Sequence, residues 1–356
     1  MTAPLLRARD GNEAIYRTGC DSAKQEISTW LGGNLSAILT DPIGGPAAWR
    51  GADIRESTDW LYVLSASDQV ELDAALLHVK ESGFQFPSFG KQDFPLPVLS
   101  ECLQHIAESL ELGYGFALLR GVPVERYSAA DIRTVYYGLG LHLGLPVPQN
   151  PEGDLLGTVM NVGDINDKNT RVYQTNAYLP YHTDPSDVVG LMCLQRARVG
   201  GLSSLVSVAS VYNSMLAECP EYLGLFYRQV YYAHMGEDLP SLTPLFSYYD
   251  GKFTCRYLRQ YIELGHEVMG LPLSRVECEA LDRFDAIAQD PALRLDMMLE
   301  PGDLQFANNY MVLHSRTGFE DFEAVDKRRH MLRLWLKMPN ARRLASDFPG
   351  RNGFAK

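Results

Sequence analysis

Two histidines and an aspartate carry the most specific chemistry in this chain. His182-Thr183-Asp184 lies in YLPYHTDPSDVVGLM, and if that stretch is extended, alternating side chains aim the imidazole and the carboxylate to one face and Thr183 to the other. A third donor, His314, follows 130 residues after Asp184 in PGDLQFANNYMVLHSR. Two imidazoles and one carboxylate on one face of an octahedral ion leave three positions open. That set suits non-heme Fe(II), with room for a bidentate 2-oxo acid and O₂. By itself H-x-D is a common accident of polar turns; the text beyond His314 gives it weight. In RRHMLRLWL, Arg329 and Arg333 are four apart, so a strand presents both on one side and Arg328 on the other. An inward arginine grips a carboxylate with a two-pronged fork that lysine lacks.

These words, in this order, resemble the TauD/TfdA branch of the Fe(II)/2-oxoglutarate dioxygenases. The matching text is YHTD, Gly200-Gly201 followed by Leu202-Ser203, PGDLQFANNYMVLHSR and RRHMLRLWL, and the similarity spans roughly residues 95–340. The resemblance implies a double-stranded β-helix (jelly roll), iron ligands His182, Asp184 and His314, and Arg329 on the distal carboxylate of 2-oxoglutarate. It also implies a hydroxyl beside that carboxylate, for which Ser203 and Ser204 are both candidates, and a place for Arg333 next to cofactor or substrate. Halogenases that resemble this family have a small residue where Asp184 stands, so hydroxylation is expected, with desaturation, epoxidation or cyclisation as alternative outcomes.

Substrate-facing candidates flank the ligands: Asn161, Gln174, Asn176, Tyr178, Tyr181, Asn308 and Asn309. A regular strand puts Tyr178 with His182 and turns Tyr181 away. Arg333 and Arg256 could bind an anionic group, although Arg256 reads equally well as half of a structural ion pair. The other histidines, His78, His105, His142, His234, His266 and His330, are expected to be structural or solvated. By fold-level analogy the substrate is a small amino-acid-like or carboxylated metabolite. Two rivals are a jelly-roll binding protein without turnover and a cupin-like zinc or manganese hydrolase or isomerase, neither of which needs the Arg329 fork.

The elements that must position these groups fall into two parts. Residues 1 to about 60 are rich in Gly and Pro with little periodicity, and from Ser65 to about residue 150 the text is mostly helical. Val70, Leu72, Ala75, Leu76 and Val79 predict a helix at about 66–82 capped by Ser65 and Asp68. Leu103, Ile106 and Leu110 predict a second, stopped by Gly113. Ser128 opens a third, stopped by Gly144 and Pro146. GFALLRGVPV reads as a buried strand. After residue 150 short β-like runs dominate, from LLGTVMNV to RRHMLRLWLKM, with helical inserts at about 208–228 and 274–288. An α+β chain with a jelly-roll core, flanking helices and an N-terminal helical extension is expected. Its divisions are 1–94 (extension), 95–345 (catalytic core) and 346–356 (tail).

Composition excludes several classes. The chain has 356 residues and a formal net charge of −12, without a basic, aromatic-interleaved cluster to track phosphates, so nucleic acid is not expected as a partner. Nothing approaches the ~20 apolar residues of a membrane helix, and the N-terminus lacks a secretion signal's apolar run. A cytoplasmic location and a small-molecule partner are expected, with homo-oligomerisation left open. The six cysteines show no C-x-x-C pair and read as free thiols.

Overall fold

The computed structural model describes residues 34–163, 174–234 and 236–354. Two sheets face one another. The larger has seven strands, numbered here in chain order together with those of the smaller sheet: β1 (Leu61–Val63), β2 (Phe116–Arg120), β3 (Leu145–Pro146), β4 (Leu156–Met160), β5 (Leu179–His182), β6 (Val188–Gln195), β7 (Ser203–Ser207), β8 (Leu295–Met297), β9 (Leu304–Asn308), β10 (Val312–Arg316) and β11 (His330–Lys337). The large sheet runs β1-β2-β9-β6-β11-β3, with β4 also on β11, and the small sheet runs β8-β7-β10-β5. Only the β1–β2 pair is parallel.

Alternation along the strands sorts the side chains into layers. On β11, Leu332, Leu334 and Leu336 point outward into a helical layer, whereas Met331 and Trp335 point between the sheets. The outer layer is α1 (Ala66–Glu81), α2 (Leu99–Leu112) and α3 (Ala129–Leu143). The starts of α1 and α3 are fixed by side chains: Ser65 and Asp68 form a reciprocal capping box, and Ser128 Oγ accepts from the Asp131 N–H. Leu72, Val79, Leu103, Ile106, Val135 and Leu139 then bury against Leu119, Met192, Phe306 and Leu334 of the large sheet. The outer face of the small sheet, with Tyr181, Val206 and Leu313, is covered by α4 (Val208–Glu218), a hairpin (Phe246–Tyr249 with Lys252–Cys255) and α6 (Arg275–Ala288). Between the sheets, Phe116, Val189, Ala307 and Trp335 meet Leu205, Leu295 and Val312.

The helices over 66–82, after Ser128 and at 274–288 stand where the sequence places them, and the 208–228 insert resolves into α4 and two short turns. One helix was not expected: α5 (Arg259–Val268) follows the hairpin directly. Its sequence, RQYIELGHEV, buries only Ile262 and Gly265, yet Tyr261, Leu264 and Val268 do fall at helical spacing, a signal that went unread. Chain ends also contribute. β1 extends the large sheet, Ala37 bridges to Tyr248, and Phe354 stacks on Trp335. Of the cysteines, Cys102, Cys193, Cys219, Cys255 and Cys278 are free, and Cys20 lies outside the described residues. No helix among the described residues is long and apolar enough to cross a membrane.

Candidate active site

His182 and His314 face one another because β5 and β10 are neighbours in which these two residues are direct Cα partners. Their rings lie 4.2 Å apart. β5 stops at His182; Thr183 turns its N–H to the Tyr257 carbonyl at 2.8 Å, and Asp184 enters the turn beyond. That turn is held by Asn309, whose Oδ1 accepts from the Asp184 N–H (2.9 Å) while its Nδ2 donates to Ser186 O (3.0 Å). The ligand atoms of His182, Asp184 and His314 all lie within 4.8 Å of one another.

The protonation states suit a metal. His182 donates from Nδ1 to Pro180 O (2.8 Å), which leaves Nε2 with its lone pair free. Burial, assisted by the neighbouring His314, pushes its pKa down to about 4, so the ring is neutral at physiological pH. Burial alone would raise the Asp184 carboxyl, but Arg333 and His314 override it and hold the group well below the usual range. Trp335 Nε1 donates to Asp184 Oδ2 (3.0 Å), and Arg333 Nη1 sits 3.7 Å from Oδ1. Arg333 is itself aimed by Gln149, which accepts from its Nε at 2.7 Å, and lies over the Trp335 ring. Two imidazoles and one anionic carboxylate are a donor set that fits ferrous iron.

The cavity around these ligands has a volume of about 610 Å³. Arg329, Arg333, Ser203, Ser315 and Arg316 line it. Arg329 is 4% exposed, and its Nη1 has no hydrogen-bond partner in the structure. Burial brings its pKa down to about 10. A buried guanidinium with a free donor calls for an anionic partner. The glycine pair explains the room around it. Gly200 and Gly201 both take positive φ, 75° and 73°. A Cβ on Gly200 would meet Gly318 O at 2.4 Å, and one on Gly201 would meet Arg329 Nε at 3.3 Å. Ser203 faces the cavity and donates to Gln305 Oε1 (2.7 Å), whereas Ser204 points through the sheet to Asp296 and Tyr181.

The structure leaves all seven flanking substrate candidates outside the cavity lining: Asn309 holds the Asp184 turn, Tyr181 packs on the outer face of the small sheet, and Gln174 is half-buried. Asn308 ties α2 down, donating to Leu110 O (2.9 Å) and to Glu111. Tyr178 is 44% exposed. Its displacement has a cause: the β5–β10 register shifts between His314 and Arg316, so Leu179 rather than Tyr178 shares the cavity face with His182. Asn176 is exposed and Asn161 half-buried, and neither lines the cavity. Sequence reasoning passed over Arg316, two residues after His314 on the same strand face and buried with an unpartnered Nε. The even spacing from His314 was a usable signal. It also missed the far wall: Tyr232 and His234, Gln260, Tyr261 and Leu264 of α5, and Arg351, Gly353 and Phe354 of the C-terminal segment.

The family model of the taurine catabolism dioxygenases, TauD and TfdA, matches residues 80–335. The chain belongs to the TauD/TfdA family. This dioxygenase is 36% identical over 320 residues to FR-33289 synthase of Streptomyces rubellomurinus, covering 87% of this chain and 94% of that one. In fold it is similar to an asparagine oxygenase solved with Fe(II), 2S,3S-3-hydroxyasparagine and succinate (TM-score 0.62, 17% identity, 78% of this chain and 93% of that one). It is likewise similar to the non-heme iron oxygenase OrfP solved with Fe and α-ketoglutaric acid (TM-score 0.57, 15% identity, 78% and 94%). The protein is a 2-oxoglutarate-dependent non-heme iron dioxygenase using Fe(II), 2-oxoglutarate and O₂.

Proposed function

We propose that this TauD/TfdA dioxygenase hydroxylates an unactivated C–H bond of a small amino-acid-like or carboxylated metabolite, with release of succinate and CO₂. His182, Asp184 and His314 would hold the iron, Arg329 the distal carboxylate of 2-oxoglutarate, and Ser203 would stand beside it. The observation that carries the reading is the buried Arg329 with its unpartnered Nη1 in the same cavity as three converging metal donors. Bound iron and 2-oxoglutarate supply the oxidising chemistry. The chain's own residues orient and exclude water. Arg333 and Trp335 keep Asp184 ionised and fixed in direction, Asn309 holds its backbone, and Leu191, Leu299 and Val159 give the cavity an apolar wall. The substrate class is supported by the hydroxyasparagine found in the structural relative and by a cavity of small-molecule size.

The two facing sheets would be the double-stranded β-helix, with residues 95–345 as the catalytic unit and the preceding segment as a layer packed on it. Anaerobic protein given Fe(II) and 2-oxoglutarate should show the weak visible metal-to-ligand charge-transfer band. A substrate panel then reads succinate release together with product mass. Gain of one oxygen supports hydroxylation, loss of two hydrogens supports desaturation, and absence of both the band and succinate would sink the reading.

A further inference from the structure

The wall of the cavity that carries no metal ligand is cationic. Arg256 follows the hairpin strand Lys252–Cys255, is 7% exposed, and forms no ion pair among the described residues. Its Nη1 donates to Thr243 Oγ1 (3.2 Å) and its Nη2 to Pro349 O, with its plane over Phe348. Carbonyl and hydroxyl partners satisfy hydrogen bonds but not charge, and a buried charge without a counter-charge is unfavourable. His234 stands in the same field. Its Nε2 is buried without a partner, and burial, then Arg351 and Arg256, push its pKa down to about 3. Arg351 brings its own counter-charge, a two-pronged pair with Glu237 at 2.6 and 2.9 Å.

The charge balance of the cavity points the same way. Among the described residues five arginines line it (Arg256, Arg316, Arg329, Arg333 and Arg351) against one carboxylate, Asp184. Ferrous iron and doubly negative 2-oxoglutarate cancel one another, so loading the cofactors leaves the surplus in place. In a chain of net charge −12 that surplus is local and placed. The one lining carboxylate among the described residues, Asp184, is taken by the metal site.

We propose that Arg256, His234 and Arg351 form a subsite for an anionic head group of the substrate, an oxyanion of the carboxylate, sulfonate or phosphonate type. Arg256 supplies the unmatched charge, and His234 supplies a ring nitrogen able to donate in one tautomer. Held there, the head group fixes which carbon is presented to the metal donors at the opposite wall. The proposal rests on the dioxygenase reading of the cavity and narrows its substrate to molecules with an anionic end.

The test uses anaerobic holoenzyme loaded with Fe(II) and 2-oxoglutarate, titrated calorimetrically with propionate, ethanesulfonate, ethylphosphonate and the neutral propanamide. At least one anion should bind while propanamide does not, and the preferred anion names the head group. Arg256→Met should weaken that anion about 10-fold or more, the loss of a charge-assisted hydrogen-bonding partner. Because Arg256 also anchors the C-terminal segment, His234→Ala and Arg351→Gln serve as independent variants, each expected to weaken binding several-fold. Binding of anions no better than propanamide, or unchanged in all three variants, overturns the proposal. Loss of the charge-transfer band in the wild type would instead strike the dioxygenase reading, so the two failures are distinguishable.

Discussion

The roles at the iron site separate by which ligand each variant releases. Asp184→Ala or His314→Ala removes one of three donors and should abolish the charge-transfer band of the Fe(II) and 2-oxoglutarate complex; persistence of the band in either would reassign the ligands. Arg329→Lys keeps the charge but loses the fork, and a charge-assisted hydrogen bond is worth roughly 1.5–3 kcal/mol. KM for 2-oxoglutarate should therefore rise about 10- to 100-fold, with iron binding measured without 2-oxoglutarate unchanged. These residues were legible in the sequence because their identities are chemical: H-x-D, a later His and paired arginines at an even spacing. Asn309 was named only as a substrate candidate, yet it grips the Asp184 backbone. That role depends on two turns meeting across 125 residues of sequence, which no local pattern announces.

At the scale of elements, the site depends on two strands in register and on a glycine bend. Parity of side chains along β11 was readable and places Arg333 and Trp335 on the cavity side, in line with Arg329 just ahead of the strand. Parity along β5 failed at Tyr178, because the irregularity opposite Arg316 shifts the face by one residue, and a bulge leaves no trace in an apolar pattern. The helix α5 was readable but short: Tyr261, Leu264 and Val268 recur at helical spacing over only ten residues, and one side of it lines the cavity rather than a core. The Gly200-Gly201 bend makes a direct prediction. Gly201→Ala must hold a Cβ at φ 73° and 3.3 Å from Arg329 Nε, which strains the backbone and displaces the guanidinium. It should weaken 2-oxoglutarate binding while sparing iron affinity; an unchanged KM for 2-oxoglutarate would show that the bend does not set the arginine. Trp335→Phe on β11 removes a hydrogen bond to Asp184, the proposed carboxylate ligand, and should lower iron affinity by about 10- to 100-fold, read by competition with a chelator.

For the whole molecule, the apolar packing lies largely outside the site. One core fills the space between the large sheet and α1–α3, another fills the space between the small sheet and the 208–288 insert, and the gap between sheets is apolar at one end and polar at the metal end. The two histidines therefore sit on strands braced from behind, with Asp184 in the turn beside them, while the space they face carries more arginine than carboxylate. Such a site costs stability when empty, and cofactor binding should return it. Binding at 100 times Kd stabilises a folded state by about 2.7 kcal/mol. With an unfolding entropy near 2.1 cal/mol/K per residue, a chain of this length should gain about 4 °C in Tm. An anaerobic thermal scan should show one rise with Fe(II) and a second with 2-oxoglutarate. Arg329→Ala should keep the first and lose most of the second, because its fork binds the co-substrate alone. Asp184→Ala should lose both, because 2-oxoglutarate needs the metal as its other anchor. A full second rise in Asp184→Ala would mean that 2-oxoglutarate binds without the iron, and the two halves of the site would then have to be treated as independent.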